Sequence, residues 1–280
     1  MSNLPLTAEA PVTLIGASER PSGSWAEVWD YRELLYFLVW RDVKVRYKQT
    51  VLGIAWAVVQ PVATMVVFSV VFGRLASMPS DGIPYPLFSL AALVPWTYFA
   101  SAITQGASSL VSSQHLVAKV YFPRLLVPLS SVATPLVDGA IALVILASLM
   151  VWYGAWPGVA VLAMPGFVAL ALASAFAMSL WLAALNVQFR DVRFVMPFLV
   201  QFWLFVTPVA YPASLISPFW RPFYAINPMA TVVDGFRWSL LGAPAPPVEA
   251  VVVSCVTVAL LIAGGLRYFR RTQGLFADVI

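Results

Sequence analysis

No lysine in this chain follows a glycine, and the only lysines are Lys44, Lys48 and Lys119. A nucleotide-binding P-loop needs a glycine-rich turn ending in Gly-Lys-Ser or Gly-Lys-Thr, so any ATP that drives this protein binds to another chain. A single cysteine, Cys255, excludes an internal disulfide, and a single histidine, His115, leaves no Cys/His set for a metal. Charge is scarce as well. Only 10% of the 280 residues are charged, against about 25% in ordinary soluble domains. Apolar side chains fill the difference, at 61% of residues and a mean hydropathy of +0.87. The solvent of such a chain is lipid. Residues 1–30 carry Glu9, Glu19, Glu27, Pro5, Pro11 and Pro21 without a long apolar core, so they read as a tail rather than a cleavable signal peptide. The net charge of +4 raises nucleic acid as a partner, but the cations lie at the ends of apolar segments. There they orient the chain against membrane lipid, and no nucleic-acid partner is expected.

Apolar runs long enough to cross a bilayer occur at about 51–73, 87–111, 125–152, 158–187, 194–212 and 248–266. Cytoplasmic flanks are enriched in Lys and Arg, and thirteen of the sixteen basic residues fall before the first run, in the loops near 112–124 and 188–193, or after the last run. Only Arg74, Arg221 and Arg237 are left for the opposite side. Six spans with both ends in the cytoplasm satisfy this distribution. The expected fold is an all-α integral membrane protein built as a single domain over 31–270, with a short tail at 271–280.

Residues 213–246 break the alternation. They are too apolar for a solvated loop, yet Pro218, Pro222, Pro228 and Pro244 cut them into pieces too short to span. A re-entrant pair of short helices on the outer side fits best, and an interfacial loop on lipid headgroups is the alternative.

Ahead of the first span, Tyr36, Trp40, Val43 and Tyr47 fall on one helical stripe and Arg41, Lys44 and Lys48 on its neighbour. This spacing predicts an N-terminal amphipathic interface helix over 31–48, with its aromatics at the acyl boundary and its cations toward anionic headgroups. Residues 112–122 read as a short helix along the membrane, capped by Ser112 or Ser113, with Leu116, Val117, Val120 and Tyr121 on one face and Pro123 as a stop. Tied to two spans, it could pass a partner's motion into the bundle; an ordinary loop is the alternative.

Ion coupling would call for several ionisable groups inside the spans. Only Asp138 sits there, about thirteen residues into the third run, or roughly 20 Å at 1.5 Å per residue. It either faces the bundle in hydrogen bonds or belongs to a pathway. The outer half is rich in aromatics, among them Trp96, Tyr98, Phe99, Phe202, Trp203, Phe205, Tyr211, Trp220, Phe223, Tyr224 and Trp238. For any single one, an interfacial belt or packing role ranks ahead of substrate contact. Together they also suit a sugar track, with apolar faces for C–H groups and no fixed charge to trap a sliding chain.

Four stretches, RDVKVRYKQTVLGIAWAVVQP (41–61), VYFPRLLVPLS (120–130), NVQFRDVRFVMPFLVQFWLFVTPVAYP (186–212) and NPMATVVDGFRWSLLG (227–242), resemble the permeases of type-2 ABC exporters for O-antigen, capsular polysaccharide and teichoic acid, the Wzm-like group. The resemblance covers about residues 30–270. It implies a homodimer in the bacterial inner membrane, each subunit docked on a cytoplasmic ABC ATPase present in two copies, which binds ATP and Mg. It further implies that 31–48 is the interface helix, that 112–122 is the coupling helix, with His115, Leu116, Lys119, Tyr121 and Arg124 at the ATPase, and that 213–246 holds periplasmic gate helices. The cargo would arrive on an undecaprenyl diphosphate lipid, which makes Arg41, Lys44, Arg46 and Lys48 candidates for its diphosphate or for lipid headgroups.

The runner-up is a type-2 ABC exporter of a drug or small lipid, whose pocket would be compact rather than a continuous channel. An integral-membrane glycosyl- or acyltransferase would need clustered acids or a His/Asp pair. Asp42 and Asp191 instead stand apart among basic residues, so the chain is not expected to be an enzyme and no catalytic residue is assigned.

Overall fold

In lipid every backbone N–H and C=O must be satisfied within the segment, so long apolar runs become helices. A computed structural model describes residues 25–48, 53–217 and 219–274, and every regular element among them is helical. In chain order these are α1 (Trp25–Asp30), α2 (Arg32–Lys48), α3 (Gly53–Phe68) continued by a π-helical segment at Ser69–Leu75, α4 (Tyr85–Ser112), α5 (Gln114–Lys119), α6 (Leu126–Ala133) and α7 (Leu136–Trp152). After a 3-10 turn at Val159–Ala163 come α8 (Met164–Gln188) and α9 (Val192–Val206). A second 3-10 turn at Ala213–Leu215 precedes α10 (Arg221–Ile226), α11 (Pro228–Leu241) and α12 (Val248–Thr272).

Among the described residues five helical segments are long and apolar enough to cross a membrane: Ala55–Leu75, Tyr85–Ser112, Leu126–Trp152, Val159–Gln188 and Val248–Thr272. They match the first four expected spans and the last. The fifth expected span, 194–212, is shorter than the sequence suggests. α9 has 15 residues, about 22 Å long against a hydrocarbon core of about 30 Å. Pro208 is the reason, because it disfavours helical backbone at the residue before it, and Thr207 is accordingly extended at φ −88°, ψ 136°. The third span is interrupted between α6 and α7 at Thr134–Pro135, and Pro135 contributes no backbone N–H.

α4 is the centre of the bundle, with α8, α11, α6, α7 and α3 packed around it. Within its most apolar window 78% of residues are buried, compared with 11% for the first span and 17% for α12. Close approach explains the α4–α8 seam: a Cβ added at Gly106 would lie 2.2 Å from Ser179 Oγ and 3.2 Å from Ser179 Cα. The Ser179 hydroxyl also donates to Ala102 O across this seam at 3.4 Å, and the Asn186 amide to Ala107 O at 2.8 Å.

The bundle has two chemically distinct ends. One gathers α2, α5 and the α8–α9 link with Arg190 and Arg193, together with Arg267, Arg270 and Arg271 of α12. The other, reached by α3, α7 and α9, holds the 207–227 connection and α10–α11. These are called the basic end and the far end. At the basic end, the expected tail over 1–30 becomes helical in its last six residues as α1; residues 1–24 and 275–280 lie outside the description. The expected helix over 112–122 contracts to α5, six residues long. Ser113 occupies the cap position without a side-chain cap bond, Ser112 Oγ donates instead to Ser109 O, and Val120 and Tyr121 fall beyond the helix as exposed residues. At the far end α11 is buried against α4, α8 and α12, so protein rather than a headgroup layer covers it. The Asn227 side chain caps its start by accepting from Met229 N at 3.2 Å, and Gly242 ends it at φ +70°, where a glycine carries no Cβ penalty.

Candidate functional site

α2 docks by Leu34, Leu35 and Leu38, the last one buried. Of the aromatic stripe, Tyr36 and Trp40 are exposed on the outer face of α2, whereas Tyr47 is half-buried. Tyr36 and Trp40 stack with centroids 6.5 Å apart, and Lys44 Nζ lies 5.2 Å from the Trp40 ring. Arg41 pairs with Asp42 at 2.9 Å, and Lys48 is exposed. Arg46 departs from this set, because it forms a salt bridge with Asp138. The Tyr47 hydroxyl donates to the other oxygen of the same carboxylate. Burial and that carboxylate push the Tyr47 hydroxyl up to about 12. Asp138 therefore has two partners 91 and 92 residues away in the chain, which its sequence neighbourhood does not reveal. It also sits in the first turn of α7, where a helix N-terminus favours negative charge.

The pair borders a cavity of about 390 Å³ between α2, α3, α4 and α7, with Trp56, Gln60 and Ser101 among its other walls. A second cavity of about 450 Å³ brings two expected groups together, since Arg41 of α2 lines it alongside His115 and Leu116 of α5. His115, Lys119 and Tyr121 are exposed, Arg124 is half-buried, and Val117 is buried. Tyr121 reaches Glu27 of α1 at 3.5 Å, and the negative charge of Glu27 pushes its hydroxyl above the usual value.

At the far end the eleven expected aromatics separate by environment. Trp96, Tyr98 and Phe99 belong to the core: Phe99 is wholly buried, packs on Trp96 at 5.8 Å and meets Trp203 edge-on at 5.0 Å, while Tyr98 donates to Val132 O at 3.2 Å. Trp96 and Phe99 are packed within the bundle, whereas Tyr98, itself 6% exposed, borders the cavity between α2, α3, α4 and α7. Trp203 and Trp238 are half-buried, the first donating to Asn227 Oδ1 at 3.0 Å and the second edge-on to Phe167. Phe202 and Phe205 are exposed on α9, with Phe202 stacked on Phe198. Trp220 and Phe223 are exposed in a cluster with Phe219. Tyr211 and Tyr224 share a hydrogen bond of 2.9 Å.

Beneath this cluster lies a cavity of about 220 Å³ bordered by Asp81, Arg221, Tyr224, Asp234 and Arg237. Arg237, one of the three cations left for the side opposite the basic end, is 2% exposed. Its guanidinium donates to Pro208 O and Val209 O, both at 2.7 Å, and to Phe88 O at 3.3 Å. Asp234 lies 4.0 Å away. Burial lowers Arg237 to about 10 and raises Asp234 to about 6. The DGFRW motif carries these two residues, and their i, i+3 spacing was the only available signal.

The sequence matches the family described as ABC-2 type transporter over residues 33–241. It is 31% identical to the O-antigen export system permease protein RfbA of Myxococcus xanthus over 257 residues, covering 91% of this chain and 98% of that one. A protein of the same name from Klebsiella pneumoniae is 25% identical, covering 89% and 95% respectively. The polysialic acid transport protein KpsM of Escherichia coli is 22% identical, covering 85% and 93%.

Proposed function

Because this chain belongs to the ABC-2 type transporter family, we propose that it is the membrane permease of an exporter moving a polysaccharide, O-antigen foremost, on an undecaprenyl diphosphate carrier from cytoplasm to periplasm. The observation that carries this reading is the near full-length similarity to O-antigen export permeases. Energy comes from a separate cytoplasmic ATPase, which holds ATP and Mg2+; two permeases and two ATPases make the working unit, and the permease makes no covalent change to its cargo. The bundle sits in the bacterial inner membrane with its basic end in the cytoplasm, as cation enrichment on that side supports. α9 is then a short fifth span completed by the extended Thr207–Pro212 connection, which brings the spans to six. α2 lies at the interface, α5 couples to the ATPase, and α10–α11 form the outer gate. The exposed rings of Phe202, Phe205, Trp220 and Phe223 offer apolar faces to a passing sugar chain.

Deleting the gene in its own host and blotting surface polysaccharide tests the reading. Loss of surface polymer with accumulation inside is expected, and unchanged display would overturn it. In the complemented strain, Trp220→Ala with Phe223→Ala lowers display while complex assembly persists, whereas a small-lipid exporter leaves display untouched.

A further inference from the structure

The cavity between α2, α3, α4 and α7 holds an ion pair whose charges cancel. Arg46 is neutralised by Asp138, so a phosphate entering here gains no net charge from this pair and meets a carboxylate at close range. That argues against a diphosphate at Arg46. A neutral ring bearing many hydroxyls meets the opposite situation. Arg46 has five N–H donors and spends one on Asp138 Oδ2. The side chains of Gln60 and Ser101, both in the cavity wall, make no hydrogen bond among the described residues. The Trp56 indole is 63% exposed and supplies the flat apolar face that sugar C–H groups pack on. The volume of about 390 Å³ lies within the roughly 300–1,000 Å³ of small-molecule pockets. Gln60 is seven residues into α3, about 10 Å from the helix start, so the cavity opens near the basic end.

We propose that this cavity is a saccharide subsite, holding one neutral sugar unit on Trp56 with hydrogen bonds to Gln60, Ser101 and the Arg46–Asp138 pair. The inference rests on the export reading, and adds that the chain of sugars is gripped on the basic side of the bundle before it meets the far-end aromatics. Among the described residues the side chains of Gln60 and Ser101 make no hydrogen bond, so replacing them separates ligand contact from folding.

The test uses the full permease–ATPase complex in the deletion host, reading surface polysaccharide, complex assembly and basal ATP hydrolysis together. One stacking face or hydrogen bond to a sugar is worth about tenfold in occupancy. Trp56→Ala, Gln60→Leu and the cavity-filling Ser101→Leu should each lower surface display by about that factor, with assembly and basal hydrolysis within about twofold of wild type. Trp56→Phe, which keeps a ring, should recover most of the loss. Normal display from Trp56→Ala and Ser101→Leu, in a host where deletion abolishes display, overturns the subsite alone. A parallel fall in assembly overturns it in favour of packing. Display that survives deletion of the whole gene overturns the export reading and the subsite together.

Discussion

Arg237 holds its guanidinium 3.5 Å from the centroid of the Phe88 ring, joining the start of α4 to α11 at the far end. The same group collects the carbonyls of Pro208 and Val209, where α9 has already ended and the backbone has no helical partner for them. A cation on one short helix thus organises the connection between α9 and α10.

Removing it should open that end. Arg237→Met keeps the volume but leaves four carbonyls, those of Phe88, Pro208, Val209 and Tyr211, without their donor, a loss of about 3–5 kcal/mol for one partner of a buried charged network. Arg237→Lys lacks the fork that reaches several carbonyls at once and should recover only part of it. Thermal unfolding of the detergent-purified chain measures both, and a wild-type melting temperature for the Met variant would refute the role.

Asp234 gives this end a pH dependence. Burial raises its carboxyl from 3.8 to about 6, with Arg237 pulling the other way. A carboxyl raised on folding binds its proton more tightly in the folded state, so its contribution favours folding below about 4 and is lost as pH rises through 6. Between pH 4 and 6.5 the melting temperature of wild type should fall relative to Asp234→Asn, in which the group cannot titrate. A constant difference across that window would contradict the shift.

At the α4–α8 seam, Gly106→Ala places a methyl group 2.2 Å from Ser179 Oγ, and the serine backbone is too near to yield fully. Overpacking of this kind costs about 1–3 kcal/mol. The companion change Ser179→Gly should restore the melting temperature, which a non-steric cause would not allow.

Coupling to the ATPase can be probed without disturbing the core. Tyr121 is 67% exposed and among the described residues its hydroxyl bonds only Glu27, so Tyr121→Ala should leave the permease folded. In the reconstituted complex it should reduce substrate-stimulated ATP hydrolysis severalfold while basal hydrolysis persists. Full stimulation would remove α5 and its C-terminal flank from the coupling role.

Orientation is open to labelling. With Cys255→Ser as background, a cysteine replacing Trp220 should react with an impermeant thiol reagent from the periplasm of intact cells. Reaction only after the inner membrane is opened would invert the topology.

Sequence alone made the long helices legible, since hydropathy and length decide them with little help from tertiary contacts. It failed where one residue's environment depends on distant chain. Trp96 and Phe99 admit either a belt or a packing role in sequence, and only the approach of Trp203 from α9, edge-on to Phe99, selects packing. Asp138 looked solitary because its partners arrive from α2. The early end of α9 was written in Thr207–Pro208, but the apolar residues that follow masked the stop. Of the residues proposed to touch cargo, the exposed far-end rings were visible in composition. Gln60, Ser101 and Trp56 were not, because nothing short of the fold places them around one space.

The unequal burial of the spans has an evolutionary consequence. A residue on α4 answers to neighbours on several sides, so a change there must be matched by simultaneous changes in other helices. The outward faces of α3 and α12 answer mainly to lipid or to whatever docks on them. Related chains should therefore drift fastest along those faces and slowest along α4, and any stretch of α3 or α12 that fails to drift would mark where a second subunit sits.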